Sequence, residues 1–209
     1  MDALIDISQL LHPALPGWPG EPGFALDRHA AIGPGCPVNT ARLTLSTHAG
    51  THADAPLHYH ADGQASADTA LEPYVGECVV VDARGRGAAV GLGDVDWAAL
   101  NGARRVLFRT YERFPQQAWD ADFTAISAEV IERLGAQGVV LVGTDAASLD
   151  PQDSKTMDAH HAVRRHDMRI LEGLVLDSVA PGRYELIALP LRIAGADASP
   201  VRAVLRTLG

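Results

Sequence analysis

The sequence predicts an α/β domain built on several short strands, and three features predict it. Cys78-Val79-Val80-Val81 is a continuous apolar run, as is Val139-Val140-Leu141-Val142, and strands buried on both faces read this way. Between them, Ser127 to Gly135 places Val130, Ile131 and Leu134 on one helical stripe. A helix between two buried strands suggests a crossover unit. The chain of 209 residues is long enough for one domain, 1–209, with its own core, and no repeat, low-complexity tract or linker divides it.

Taken in order, Ala3 to Ser8 is a short first strand carried by Leu4, Ile5 and Ile7. His12 to Pro22 is broken by Pro13, Pro16, Pro19 and Pro22 with Gly17 and Gly20, and is a loop. Its one large aromatic, Trp18, is either an anchor that pins the loop by burial or a wall of a substrate pocket. Phe24 to Ile32 is a second strand, ended by Gly33-Pro34-Gly35-Cys36-Pro37. Arg42 to Thr47 alternates polar and apolar residues and predicts a half-buried central strand. Ala61-Asp62-Gly63 marks a turn, Ser66 to Thr69 a short helix start, and Gly76 to Asp82 the strand around the first apolar run.

Gly85 to Gly91 follows that strand, but its third glycine falls one place late for a dinucleotide fingerprint and no clear helix opens behind it; it reads as a flexible loop. Asp94 to Leu100 predicts a short helix and Arg104 to Thr110 a strand. Ser127 is placed to cap the following helix and Gly135 to end it. Gly143-Thr144-Asp145 begins the loop beyond the next strand, a common place for chemistry in such sheets. Asp145, Ser148 and Asp150 there are either outer partners of a site or turn formers. Asp158 to Asp167 is a helix bearing His160, His161 and His166, of which only one face can point inward. Ile170 to Leu176 sets Glu172 in an apolar stretch, and a buried carboxylate is costly unless paired or bound to metal. Tyr184 to Leu191 and Val201 to Leu205 are closing strands.

Composition excludes several classes. A net charge of −9 argues against nucleic acid and against an anionic membrane surface. No apolar run approaches the ~18 residues of a membrane span, and the acidic start Met1 to Asp6 lacks the basic region of a signal peptide. Cys36 and Cys78 form no C-x-x-C and read as free thiols of a reducing cytoplasm, although Cys36, after Gly-Pro-Gly, could instead approach a site or a subunit contact. No G-x-S-x-G occurs, which disfavours a serine hydrolase.

The densest chemistry lies between His48 and His60. His48, His52, His58 and His60 fall there with Asp54, and a His-x3-His pair with a nearby carboxylate can close on one metal ion. Gly50, Thr51 and Pro56 argue against a helix. Four extended residues span roughly 13 Å, so the chain must bend between His48 and His52, and Gly50 permits it. The competing interpretation is a polar loop whose histidines are hydrogen-bonded and bind nothing.

The run from His48 to His58 resembles the H-x-G-T-H-x-D-x-P-x-H signature of the cyclase-like metal-dependent hydrolases, above all their arylformamidase branch. The likeness spans nearly the whole chain, through Trp18, Gly143 to Asp150, His160, Glu172, Leu189-Pro190-Leu191 and Ser199-Pro200-Val201-Arg202. It implies a mixed-sheet swivelling β/β/α domain, acting as a homodimer. It implies two zinc ions per chain, manganese suiting the same donors. His48 and His52 would hold one ion and His160 the other, with Asp54 and Glu172 bridging both. The implied chemistry is metal-assisted amide hydrolysis, with His58 as acid–base and Trp18 against the substrate. The implied reaction converts N-formyl-L-kynurenine and water to L-kynurenine and formate, a step of tryptophan degradation. An isatin-type cyclic-amide hydrolase is the alternative, and a metal-binding protein without turnover is the alternative of another class. Arginine is the usual partner of a substrate carboxylate, but the sequence singles none out.

Overall fold

The computed structural model describes residues 3–208. Along the chain run β1 (Leu4–Asp6), β2 (Ala25–Ala30), β3 (Thr40–Thr44), β4 (His52–Asp54), β5 (Val75–Asp82), β6 (Ala89–Val90), β7 (Arg105–Arg109) and β8 (Ala125–Ile126). They are followed by α1 (Ala128–Ala136), β9 (Leu141–Thr144), α2 (Asp158–Arg165), β10 (Arg169–Glu172), β11 (Gly182–Ile187), β12 (Ala198–Pro200) and β13 (Val204–Thr207). Nine strands form one mixed sheet in the order β1-β13-β11-β5-β7-β9-β10-β4-β12. Its middle, β5-β7-β9-β10, is parallel. The strands on either side are antiparallel. The fold is the mixed α/β architecture expected, with a curled sheet and few helices.

Parallel strands need covered faces, and both are covered here. On one face, Val130, Ile131 and Leu134 of α1 and Ala162 and Val163 of α2 pack on Val106, Phe108, Val142 and Ile170. On the other, Val80, Leu107, Leu141 and Leu171 meet Ile7, Leu176, Leu186 and Leu205. The alternation Val106-Leu107-Phe108 thus splits cleanly between two cores, as the period of a strand requires. Each such side chain contributes about 1.5–3 kcal/mol by leaving water. The two apolar runs read in the sequence are not neighbours, because β7 lies between β5 and β9. The crossovers are therefore β7–α1–β9 and β9–α2–β10. No helix among the described residues is long and apolar enough to cross a membrane.

Several local expectations are corrected. The alternating run after Arg42 is not a central strand: β3 pairs only with β2, in a hairpin outside the main sheet. Leu43 and Leu26 remain 51% and 50% exposed. Alternation reported the strand and not what covers it. The segment from Asp94 to Leu100 is no α-helix, only a 3₁₀ turn at Leu92–Asp94 followed by turns, with the Asp94 carboxylate accepting the Gly91 N–H. The helix start at Ser66 goes no further than a 3₁₀ turn, Ser66–Asp68. Ser127 stands at the N-cap of α1, but its hydroxyl caps nothing. Gly135 does not end α1. It makes room for His166, whose ring would lie 2.2 Å from a Cβ there. His166 in turn reaches Glu132 of α1 at 2.6 Å, tying the two helices together.

Candidate metal centre

The pairing of β4 builds the core of the site. His52 and Asp54 share one face of β4, while Ala53 points into the opposite core. β10 runs antiparallel beside it with Glu172 opposite His52 and Ile170 opposite Asp54. Cross-strand partners share a face, so three of the predicted ligand residues emerge together, on the side where α2 lies. His48 enters from the turn ahead of β4. Gly50, at φ 65°, makes the expected bend, and its carbonyl lies 2.9 Å from His52 Nδ1. His160 comes from the first turn of α2, whose free N–H groups at Ala159 and His160 donate to Asp150 at 3.0 and 3.1 Å.

The five predicted ligand residues converge. Asp54 Oδ1 lies 3.2 Å from His48 Nδ1 and 3.4 Å from His52 Nε2, and Asp54 Oδ2 lies 3.3 Å from His160 Nε2. Glu172 Oε2 lies 3.4 Å from His52 Nε2 and Glu172 Oε1 3.6 Å from His160 Nε2. Each histidine has an acceptor for its outward nitrogen: Asp197 for His48 at 3.2 Å, the Gly50 carbonyl for His52 at 2.9 Å, Asp150 for His160 at 2.6 Å. This is the outer-shell arrangement of metal-ligating histidines. Among buried side-chain atoms, His52 Nε2 and Asp54 Oδ1 have no hydrogen-bond partner, although both point into the cluster. Buried polar atoms are rarely left so, and a divalent cation would satisfy both. The residues present therefore fit a metal centre of nitrogen and oxygen donors.

Charge tells the same story. Burial opposes charging of His160, but hydrogen bonds to Asp150 and Asp54 outweigh it and push its pKa up to about 10. His52 is likewise opposed by burial and pushed up to about 10 by Asp54 and Glu172. Burial works against the Asp54 carboxylate, yet His160, His48 and His52 hold it well below the ordinary range. Two buried carboxylates demand nearby positive charge, and cations answer that demand.

The other predicted residues fall as follows. His58 ends a 3₁₀ turn at Pro56–His58, its ring 4.3 Å from that of His48 and 5.9 Å from that of His160. Gly63 supports this turn: a Cβ there would stand 2.3 Å from the Pro56 carbonyl and 2.5 Å from Leu57 N. Gly63→Ala is expected to cost about 1–3 kcal/mol of stability, the usual price of overpacking, read as a lowered midpoint of thermal unfolding; an unchanged midpoint would mean the turn yields freely. His60 is not among the cleft-lining residues, and its Nδ1 accepts the Asp62 N–H. Asp150 is an outer partner of His160, whereas Ser148 accepts the Asp150 N–H in a turn. Asp145 takes three hydrogen bonds, from the Thr110 N–H and hydroxyl and the Tyr111 N–H, and so fixes the loop after β7; burial pushes it up to about 6.

A cleft of about 310 Å³ opens over the cluster, with His48, His52, His58 and Glu172 among its lining. Trp18, Tyr111, Phe114 and Trp119 also line it. Trp18 meets Trp119 edge to face at 5.4 Å, and Trp119 Nε1–H donates to Gln152 at 2.6 Å. No arginine or lysine lines the cleft among the described residues. Sequence reasoning missed Tyr111, Phe114 and Trp119, which sit in an irregular segment without periodicity, and Asp197, an isolated acid between the two closing motifs.

Known proteins resemble this chain over most or all of its length. Residues 5–151 match the family described as putative cyclase. The kynurenine formamidase of Sphingopyxis alaskensis is 64% identical over 208 residues, covering 100% of both chains. A solved structure titled as a potential metal-dependent hydrolase with cyclase activity superposes with a TM-score of 0.86 at 25% identity, covering 100% of both chains. An isatin hydrolase bound to the product analogue thioisatinate superposes with a TM-score of 0.85, covering 100% of this chain and 93% of its own; at 21% identity that likeness concerns the fold alone.

Proposed function

The chain belongs to the cyclase family, and from that premise we propose that it is an arylformamidase, one catalytic domain that hydrolyses N-formyl-L-kynurenine to L-kynurenine and formate. The observation that carries this is the junction of two features. A cluster of three imidazoles and two carboxylates, with His52 Nε2 and Asp54 Oδ1 unpartnered, borders a cleft walled by Trp18 and Trp119. A small formyl group suits the cluster, and the aryl amine suits the aromatic walls. The full-length likeness to a kynurenine formamidase supports the same substrate.

His48 and His52 would hold one ion, His160 the other, and Asp54 and Glu172 both. Zinc suits these donors, and manganese suits them as well. Bound ions would supply an acidified water and polarise the formyl carbonyl. The protein's own part is to bind, orient and move a proton. Trp18 and Trp119 hold the aryl ring, and His58, at the mouth of the cluster, carries the proton to the departing nitrogen. Free Cys36 and Cys78 suit a cytoplasmic enzyme, and we take its working form as a homodimer.

The test is metal analysis of the purified protein beside rates with N-formylkynurenine and with isatin. The proposal expects close to two ions per chain, loss of activity on chelation and preference for the formamide. Preference for isatin would favour the cyclic-amide reading; bound metal with no turnover of either would favour a metal-binding protein. Trp18→Ala should keep its metal and lose about tenfold or more in kcat/KM for the aryl substrate, since an aromatic contact adds about 0.5–1.5 kcal/mol beyond area burial. Wild-type kinetics in that variant would leave Trp18 as a loop anchor only.

A further inference from the structure

Asp197 stands immediately ahead of β12, and β12 pairs with β4 so that Ala198 lies opposite Asp54. Its backbone carbonyl accepts the Ala55 N–H at 2.8 Å, which fastens it to the end of the strand that bears His52 and Asp54. Its side chain reaches three residues across the site. Oδ1 accepts the Thr47 hydroxyl at 2.8 Å. Oδ2 lies 3.2 Å from His48 Nε2 and 3.6 Å from His58 Nδ1. The same oxygen is therefore within hydrogen-bond distance of a predicted ligand, His48, and just beyond that distance from the predicted acid–base, His58.

That arrangement has a chemical consequence. An imidazole has two tautomers and rotates about its χ angles; an acceptor held against one nitrogen fixes both the proton and the ring plane. His48 then presents Nδ1 to Asp54, 3.2 Å away. His58 offers a nitrogen within 4.8 Å of donor atoms of Asp54 and His160. The Thr47 hydroxyl, bound to the other Asp197 oxygen, keeps the carboxylate itself from turning. We propose that Asp197 is a positioning residue that orients His48 toward the metal centre and His58 toward the leaving nitrogen. The second half rests on the reading of His58 as proton donor in formamide hydrolysis.

The side chain of Asp197 is 43% exposed, so its substitution leaves the core intact. Asp197→Ala and the near-isosteric Asp197→Asn are compared with wild type in two measurements. The first is zinc affinity by competition with a chromogenic chelator, expected to fall roughly 10–100-fold for one of two ions. The second, at saturating zinc, is kcat and KM on N-formylkynurenine and on an aryl formate ester, whose phenolate leaves without a proton. We expect kcat on the formamide to fall at constant KM, the ester to be nearly unaffected, and Asp197→Asn to add less than about a twofold loss in a His58→Ala background, as residues acting as one unit do. Unchanged zinc affinity in Asp197→Ala overturns the His48 half. Equal losses on formamide and ester, or a full loss that persists without His58, overturn the His58 half. Should the wild-type protein hydrolyse no formamide, the formamidase reading falls by itself, and zinc affinity still decides whether Asp197 orients His48.

Discussion

Glu172→Ala and Asp54→Ala should each empty the whole centre, taking the two ions proposed per chain to fewer than one and lowering turnover by at least about 10³-fold, the upper end of what loss of a single electrostatic stabiliser costs. The reason is how each carboxylate divides its oxygens. Asp54 gives Oδ1 to the side of His48 and His52 and Oδ2 to His160. Glu172 gives Oε2 to His52 and Oε1 to His160, and its Oε1 also accepts the Leu149 N–H at 2.8 Å, which fixes the rotamer. In the proposed two-ion centre, a carboxylate shared in this way would not be lost to one ion alone. His160→Ala should behave differently: it removes a donor from one side, and the ion between His48 and His52 should stay. Metal content measured on folded protein, with thermal unfolding as the control for folding, separates the cases. Full occupancy in Glu172→Ala, or equal loss of both ions in His160→Ala, would contradict the bridging assignment.

How much of this was legible beforehand depended on how local the signal was. The doubly buried strands and α1 announced themselves because burial on both faces and a helical stripe are written in consecutive residues. The bend at Gly50 was legible because four extended residues are too long for two imidazoles on one ion. Glu172 was legible because an acid within an apolar stretch needs a partner. What alternation could not report was burial: β3 alternates like a half-buried strand yet lies exposed in a hairpin against β2 alone. The cleft walls were illegible for another reason. Tyr111, Phe114 and Trp119 belong to a segment with no periodicity, held in place by Asp145 and Gln152, both remote in sequence. Asp197 reaches His48 across 149 positions, through the pairing of β12 with β4 that no local pattern encodes. His48, His52 and Asp54 lie close together in sequence, whereas His160, Glu172 and the acceptors Asp150 and Asp197 meet them from far along the chain.

His58→Ala should keep the wild-type metal content, fold normally and lose roughly 10²–10⁴-fold in rate, the usual worth of a positioned general acid. Its turn explains why the residue stands beside the centre without the contacts the five share. The His58 N–H donates to the Ala55 carbonyl at 2.9 Å, and Pro56 stiffens the step from β4. The side chain stays 30% exposed, against 1% for His160 and 5% for His52. A proton donor needs that access to exchange its proton, whereas a ligand gains from burial. Two residues on, His60 faces the Asp62 N–H instead of the cleft, so His60→Ala should change the rate less than about threefold, within the small effects of surface substitutions. The competing geometry is explicit, because a His58 nitrogen lies within 4.8 Å of donor atoms of Asp54 and His160 and could itself reach an ion. Metal content therefore decides before kinetics does. If His58→Ala releases an ion, His58 is a ligand and the departing nitrogen must take its proton from another group; if it holds two ions with kcat and kcat/KM reduced together, the lost interaction belongs to the transition state, where a proton donor acts.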